Sequence, residues 1–178
     1  MECRFDGEEE AVLACAMSEG SPHVLFVCTG NTCRSPMAEG MFRAAAEGAF
    51  EAEVSSAGIA AYGGGPASQE TIDLLQRRGV SLDGFRSRPV SDETVRTATH
   101  IFCMTRGHRE ALRSIYPEQE DKLFLVCEFA EIDGEVGRDV PDPIGGGRGA
   151  YESVASCLDE AIAGILGFLR AEAERGGD

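Results

Sequence analysis

A thiol and a guanidinium, Cys28 and Arg34, stand with five residues between them in the stretch HVLFVCTGNTCRSPM, residues 23–37. Together they suit one kind of chemistry. A thiolate is the strongest nucleophile a side chain offers at neutral pH, and a guanidinium fork matches the oxygens of a phosphoryl group. The flanking residues say how the pair would be held. His23 to Val27 is a short apolar run of strand character that ends at Cys28. Ser35 followed by Pro36 reads as a helix start, a capping hydroxyl and then a ring that needs no N–H partner. The loop between strand and helix can therefore turn its backbone N–H groups inward, over a helix N-terminus, as a nest for a tetrahedral oxyanion. Gly30 and Asn31 are the residue types that tolerate the positive φ such a loop needs. Reactive cysteines at helix termini or beside cations ionise at roughly 3.5–7.5 in place of about 8.5, so a thiolate nucleophile is expected here. A second chemical stretch is VPDPIGGG, residues 140–147, where Asp142 precedes Pro143. Proline holds the preceding residue extended, and a loop on a rigid scaffold is a common carrier of catalytic side chains. Asp139, close by, is expected only to shape that loop.

The rest of the chain must position these two stretches. Its 178 residues, 43% of them apolar, suit one domain with a sizeable core. Strand patterns at 53–57, 100–104 and 122–127 alternate with helical patterns at 36–46, 68–79, 91 onward and 106–116. A long stripe from Val154 to Leu169 closes the chain. Such alternation predicts an α/β fold, a four-stranded parallel sheet with right-handed crossovers and helices on both faces. Ligands of open α/β sheets bind beyond the carboxyl ends of the strands, which is where Cys28 and Ser56 fall. His23 and His100 begin strands and read as structural, His108 as a surface residue, Arg77 and Arg78 as a solvated face.

A net charge of −15 argues against nucleic-acid or anionic-membrane partners. No run reaches the ~18 apolar residues of a span and the N-terminus is acidic, so neither a membrane segment nor a secretory signal is expected and the location is read as cytoplasmic. Seven cysteines without a C-x-x-C pair read as reduced thiols, with no disulfide framework, no metal and no cofactor. Residues 1–22 carry six acids against Arg4 and are expected to be a mobile acidic extension to a domain spanning 23–178. Met17 is an alternative point for translation to begin.

The longer string VLFVCTGNTCRSPMAE resembles the low-molecular-weight protein tyrosine phosphatases and their protein arginine phosphatase relatives. The resemblance implies a phosphocysteine intermediate on Cys28. Thr29, Gly30, Asn31, Thr32, Cys33, Arg34 and Ser35 would cradle the phosphate, with Ser35 donating to the sulfur and Asn31 fixing the loop through a bond from Ser56. The Asp-Pro-x-x-Gly pattern at Asp142 resembles the family's general-acid loop. Phe85 stands where many relatives carry a buttressing His, so packed support in place of hydrogen-bonded support is expected. Cys33 is either a redox partner for Cys28 or a small residue packed behind the loop. Substrates are expected to be phosphorylated proteins and the product inorganic phosphate. Thr32 resembles the small polar residue of the arginine phosphatases, whereas tyrosine phosphatases carry a bulky aliphatic there. Ile144 departs from the Phe usual in the arginine branch. Phosphoarginine is the favoured substrate and phosphotyrosine the alternative. An arsenate reductase would need a second cysteine pair, and Cys103, Cys127 and Cys157 are far apart in sequence. A non-catalytic binding module would be expected to lack Cys28, Arg34 or Asp142, and all three are present.

Overall fold

The computed structural model describes residues 21–176. Four strands, β1 (His23–Cys28), β2 (Glu53–Gly58), β3 (His100–Cys103) and β4 (Leu123–Leu125), form one parallel sheet in the order β2-β1-β3-β4. In this register Val24 lies between Val54 and His100, and Val27 between Ala57 and Cys103. The chain leaves β1 to build β2 on one side, then returns to build β3 on the other. That reversal opens a crevice at the carboxyl end of β1, the switch point where such sheets hold ligands.

Successive residues of a strand point to opposite faces, and β1 shows what each face meets. Val24 and Phe26 enter a core shared with α1 (Arg34–Ala46), α2 (Gln69–Arg77) and α5 (Gly147–Gly176). Leu25 and Val27 enter a second core with α3 (Asp92–Thr97) and α4 (Arg106–Ile115), through Val95 and Leu112. Both faces are covered, so all four residues are fully buried, which is why β1 reads as an unbroken apolar run and not an alternating one. The expected four-stranded parallel sheet with helices on both faces is present.

The local signals at helix starts hold well. Ser68 accepts from the Thr71 N–H before α2, Ser91 and Thr94 form a reciprocal capping box at α3, and Thr105 accepts from the His108 N–H at α4.

Three elements differ from expectation. The fourth strand is short, because a 3-10 helix over Pro117–Lys122 takes its first residue and Val126 and Cys127 leave the ladder while staying buried. A small antiparallel hairpin, β5 (Glu131–Ile132) with β6 (Glu135–Val136), turns through Asp133 and Gly134, both at positive φ. Asp-Gly is the dipeptide such a turn favours. The last helix begins seven residues before its apolar stripe, in a polar turn where Arg148 pairs with Glu152 at 2.6 Å. Of the acidic extension expected at 1–22, residues 1–20 lie outside the described residues. Pro22 accepts from the Glu53 N–H at 2.9 Å and so ties the chain entry to β2. Among the described residues no helix is long and apolar enough to cross a membrane.

Candidate active site

Cys28 is the last residue of β1 and only 3% exposed. Beyond it the chain turns at Asn31, whose φ is +54°. Gly30 is not among the positive-φ residues, so the left-handed turn expected of both falls on Asn31 alone. The glycine the loop does require lies elsewhere. A Cβ on Gly58, at the end of β2, would stand 2.6 Å from the Thr29 carbonyl oxygen and 2.8 Å from the Asn31 nitrogen. The loop lies directly on that backbone.

Ser35 is not the cap that the Ser-Pro pair suggested. The helix begins two residues earlier than expected, at Arg34, Cys33 occupies the cap position without a side-chain cap bond, and the Ser35 hydroxyl turns into the loop. It stands 3.0 Å from Cys28 Sγ, while the Asn31 backbone N–H donates to the same sulfur at 3.3 Å. Both can act as donors to a negatively charged sulfur.

Asn31 uses every hydrogen-bonding atom of its buried side chain. Its Nδ2 donates to Ser35 Oγ at 2.9 Å and to Ser56 Oγ at 2.8 Å, and its Oδ1 accepts from the Arg88 N–H at 2.9 Å. Ser56, which takes its expected place beside Asn31, donates onward to Glu39 Oε2 at 2.6 Å. Glu39 also accepts from Arg43 at 2.6 Å. A buried carboxylate is costly unless paired, and these two donors offset that cost. The support is therefore hydrogen-bonded and not, as expected from Phe85, merely packed. Phe85 lies apart, lining a hollow with Ile72 and Leu82, and the Arg88 backbone together with its Nε, which donates to Ser56 O at 2.9 Å, braces the loop. Glu39 and Arg88 were not foreseen. Glu39 sits four residues after Ser35 and four before Arg43, one face of a helix, and that spacing was the available signal.

Arg34 is buried, its side chain 7% exposed. It donates to Asp142 Oδ2 at 2.9 Å and to the Val140 carbonyl at 3.3 Å. Residues 106 positions apart or more are thus brought together at the mouth of the loop. The 140–147 segment is moored at one end by the Val140 N–H, which donates to Met104 O at 2.8 Å just past β3, and by Asp139, which accepts from the Arg106 N–H at 2.8 Å. Asp139 shapes the loop as expected. Past that mooring the chain is exposed except at Pro143, which is buried. The Asp142 side chain is 50% exposed, its Oδ1 accepts only from the Ile144 N–H at 3.1 Å, and Ile144 is 70% exposed. Gly145 and Gly147 both have positive φ. Thr32 is half-buried, with its carbonyl accepting from the Ser68 N–H at 2.8 Å.

Cys28, Cys33, Cys103, Cys127 and Cys157 are all buried free thiols. Cys33 Sγ lies 3.3 Å from the Tyr151 hydroxyl, and burial with this contact pushes the Tyr151 phenol up to about 12. Burial pushes the Cys103 thiol up to about 12 as well, so it is an inert core residue. Cys127 and Cys157, remote in sequence, meet at 3.7 Å; the hydrogen bond between them and burial push the Cys127 thiol up. His108 is not a surface residue. It is 6% exposed, and its Nε2 lies 2.9 Å from Thr29 Oγ1 in the loop. Among the described residues no group of three or more His, Cys, Asp or Glu could hold a metal ion.

A nucleophilic thiol at the sheet's switch point, backed by donors and flanked by a guanidinium and a carboxylate, defines a class: the cysteine-dependent phosphatases. The comparisons narrow it. Residues 23–175 match the family model described as low molecular weight phosphotyrosine protein phosphatase, and the chain belongs to that family. It is 35% identical over 150 residues to a protein-arginine-phosphatase of Bacillus subtilis, covering 84% of this chain and 97% of that one. To a low molecular weight protein-tyrosine-phosphatase of Streptomyces coelicolor it is 34% identical over 157 residues, covering 85% and 95%. A solved structure of an arginine phosphatase mutant with a phosphorylated active site serine superposes with a TM-score of 0.76 at 33% identity, covering 83% of this chain and 95% of that one.

Proposed function

We propose that this phosphatase hydrolyses phosphoarginine in proteins, with Cys28 as nucleophile, Arg34 as phosphate clamp and Asp142 as general acid. The phosphorylated serine of the related mutant supports a covalent intermediate. The Cys28 thiolate attacks phosphorus in line and the bond to the leaving nitrogen breaks. The loop amides and Arg34 hold the three equatorial oxygens. As those oxygens take the guanidinium, they displace the Asp142 carboxylate from it; Asp142 then takes up a proton from water and, as the carboxylic acid, turns to the leaving nitrogen and delivers it. Water then attacks the phosphocysteine with Asp142 as base, and Ser35 donates to the departing sulfur, releasing inorganic phosphate.

The observation that carries the choice of leaving group is Thr32. It places a short polar side chain in the loop, half-buried beside Cys33, where a bulky aliphatic would close around an aromatic ring. The Asp142 carboxyl also suits a guanidinium leaving group, which it can protonate as the acid and then pair with as the carboxylate. Among the relatives, arginine phosphatases stand at 35% and 36% identity and tyrosine phosphatases at 34%. One observation favours phosphotyrosine: Ile144 offers no aromatic face on which a guanidinium could stack. Measuring kcat/KM on matched peptides bearing phosphoarginine or phosphotyrosine tests the assignment, with Cys28→Ser as blank. Preference for phosphoarginine, reduced by Thr32→Ile, is the expected result. Preference for phosphotyrosine in the wild type returns the chain to the tyrosine branch.

A further inference from the structure

A buried histidine touching the residue next to the nucleophile has no part in the mechanism above. His108 lies in the first turn of α4. Its Nδ1 stands 2.8 Å from Thr105 Oγ1 and its Nε2 2.9 Å from Thr29 Oγ1. Thr105 Oγ1 also accepts from the His108 backbone N–H at 3.2 Å, which takes one of its lone pairs and leaves its hydroxyl proton available to Nδ1. In the tautomer where Nδ1 accepts that proton, the ring N–H is on Nε2 and is donated to Thr29 Oγ1. Thr29 then holds its own hydroxyl proton for another acceptor. Thr29 is exposed at the loop mouth, where an oxyanion would arrive.

We propose that His108 is a positioning residue for the phosphate loop: its Nε2–H fixes the Thr29 hydroxyl so that the hydroxyl proton is directed to an oxygen of the bound phosphoryl group. The relay runs from the α4 cap through the ring to the residue after Cys28. It rests on this loop being the phosphate site and not on which leaving group it serves. The charged groups that face the ring are Arg34 from α1 and Asp139 and Asp142 from the loop. Burial first, and then Arg34, hold the ring below the ordinary histidine value, so the neutral tautomer is the working form at pH 7. Protonation would keep the bond to Thr29 and add a positive charge beside the anion site. By reciprocity, a bound anion must raise the proton affinity of the ring.

The test uses inorganic phosphate as ligand and p-nitrophenyl phosphate as substrate on the whole chain. His108→Ala and Thr29→Val are each expected to lower phosphate affinity and kcat/KM about two- to tenfold, the size of one ordinary hydrogen bond. The double variant should be no worse than Thr29→Val alone, and Thr29→Ser and His108→Gln, which keep a hydroxyl and a donor, should recover most of the loss. In the wild type, phosphate should move the NMR titration of the His108 ring upward. Multiplicative losses in the double variant, or a ring titration indifferent to phosphate, overturn the proposal while leaving the phosphatase reading intact. Failure of the wild type to bind phosphate or turn over overturns both. The ring titration and the Thr29 variants decide the matter even where His108→Ala does not fold.

Discussion

The two halves of the site are built in opposite ways. The loop after Cys28 rests on buried polar side chains that all have partners: Asn31 alone makes three side-chain hydrogen bonds, to residues of three different segments. The segment carrying Asp142 is moored at Val140 and Asp139 and, apart from buried Pro143, then runs exposed through a row of glycines, its acid held by one guanidinium and one backbone N–H. The contrast follows the chemistry each half performs. Stabilising a phosphoryl group needs donors fixed before it arrives, whereas the acid must release Arg34 and meet the leaving group. A stiff clamp and a loosely held acid are therefore one design.

If that division is right, changes on the two sides should separate rate from stability. Asp142→Asn should have the largest effect, lowering kcat by roughly 10²–10⁴ with little change in Tm, because the side chain is half in water. A large loss of Tm would break the comparison. Asn31→Ala should do the reverse in kind. Leaving Ser35, Ser56 and the Arg88 N–H short of a partner, and placing Ala at a positive φ, should cost about 1–3 kcal/mol in urea unfolding, with activity falling as the loop loosens. Ile144→Phe touches only the exposed segment and should shift kcat/KM for phosphoarginine peptides upward by a few-fold at most, at unchanged stability.

A pH series sharpens the picture of the clamp. The His108 ring is held below its ordinary value in the folded chain, so the unfolded chain binds its proton first as pH falls. This contribution to stability is full above about 6.5 and declines as pH drops toward the folded value. His108→Gln should flatten that part of the stability profile.

The clamp's first residues were legible because they are contiguous: a strand, Cys28 to Arg34 and a helix start occupy one uninterrupted string, and local chemistry wrote each part. Asp142 was legible from its proline and glycines. The second layer was not. His108 lies four residues before Leu112 and shares its buried face, but a single apolar residue on a short polar helix gives little periodicity to read. Arg88 and Tyr151 are drawn in by contacts across 57 and 118 positions, and nothing local marks them; Glu39 was marked only by its helical spacing from Ser35 and Arg43. Ser35 carried two readings: its Ser-Pro context spoke of a cap, which falls instead on Cys33, whereas the family resemblance directed its hydroxyl to the sulfur, where it lies.

The contact between Tyr151 and Cys33 has an optical consequence. The chain contains three tyrosines and no tryptophan, so its ultraviolet emission is tyrosine emission, with no indole to mask it. One of those three phenols has its oxygen 3.3 Å from a sulfur of the phosphate loop, a contact that any shift of Cys33 would alter. Loop occupancy and loop oxidation should both be visible as changes in the light this phenol emits, without a dye or label.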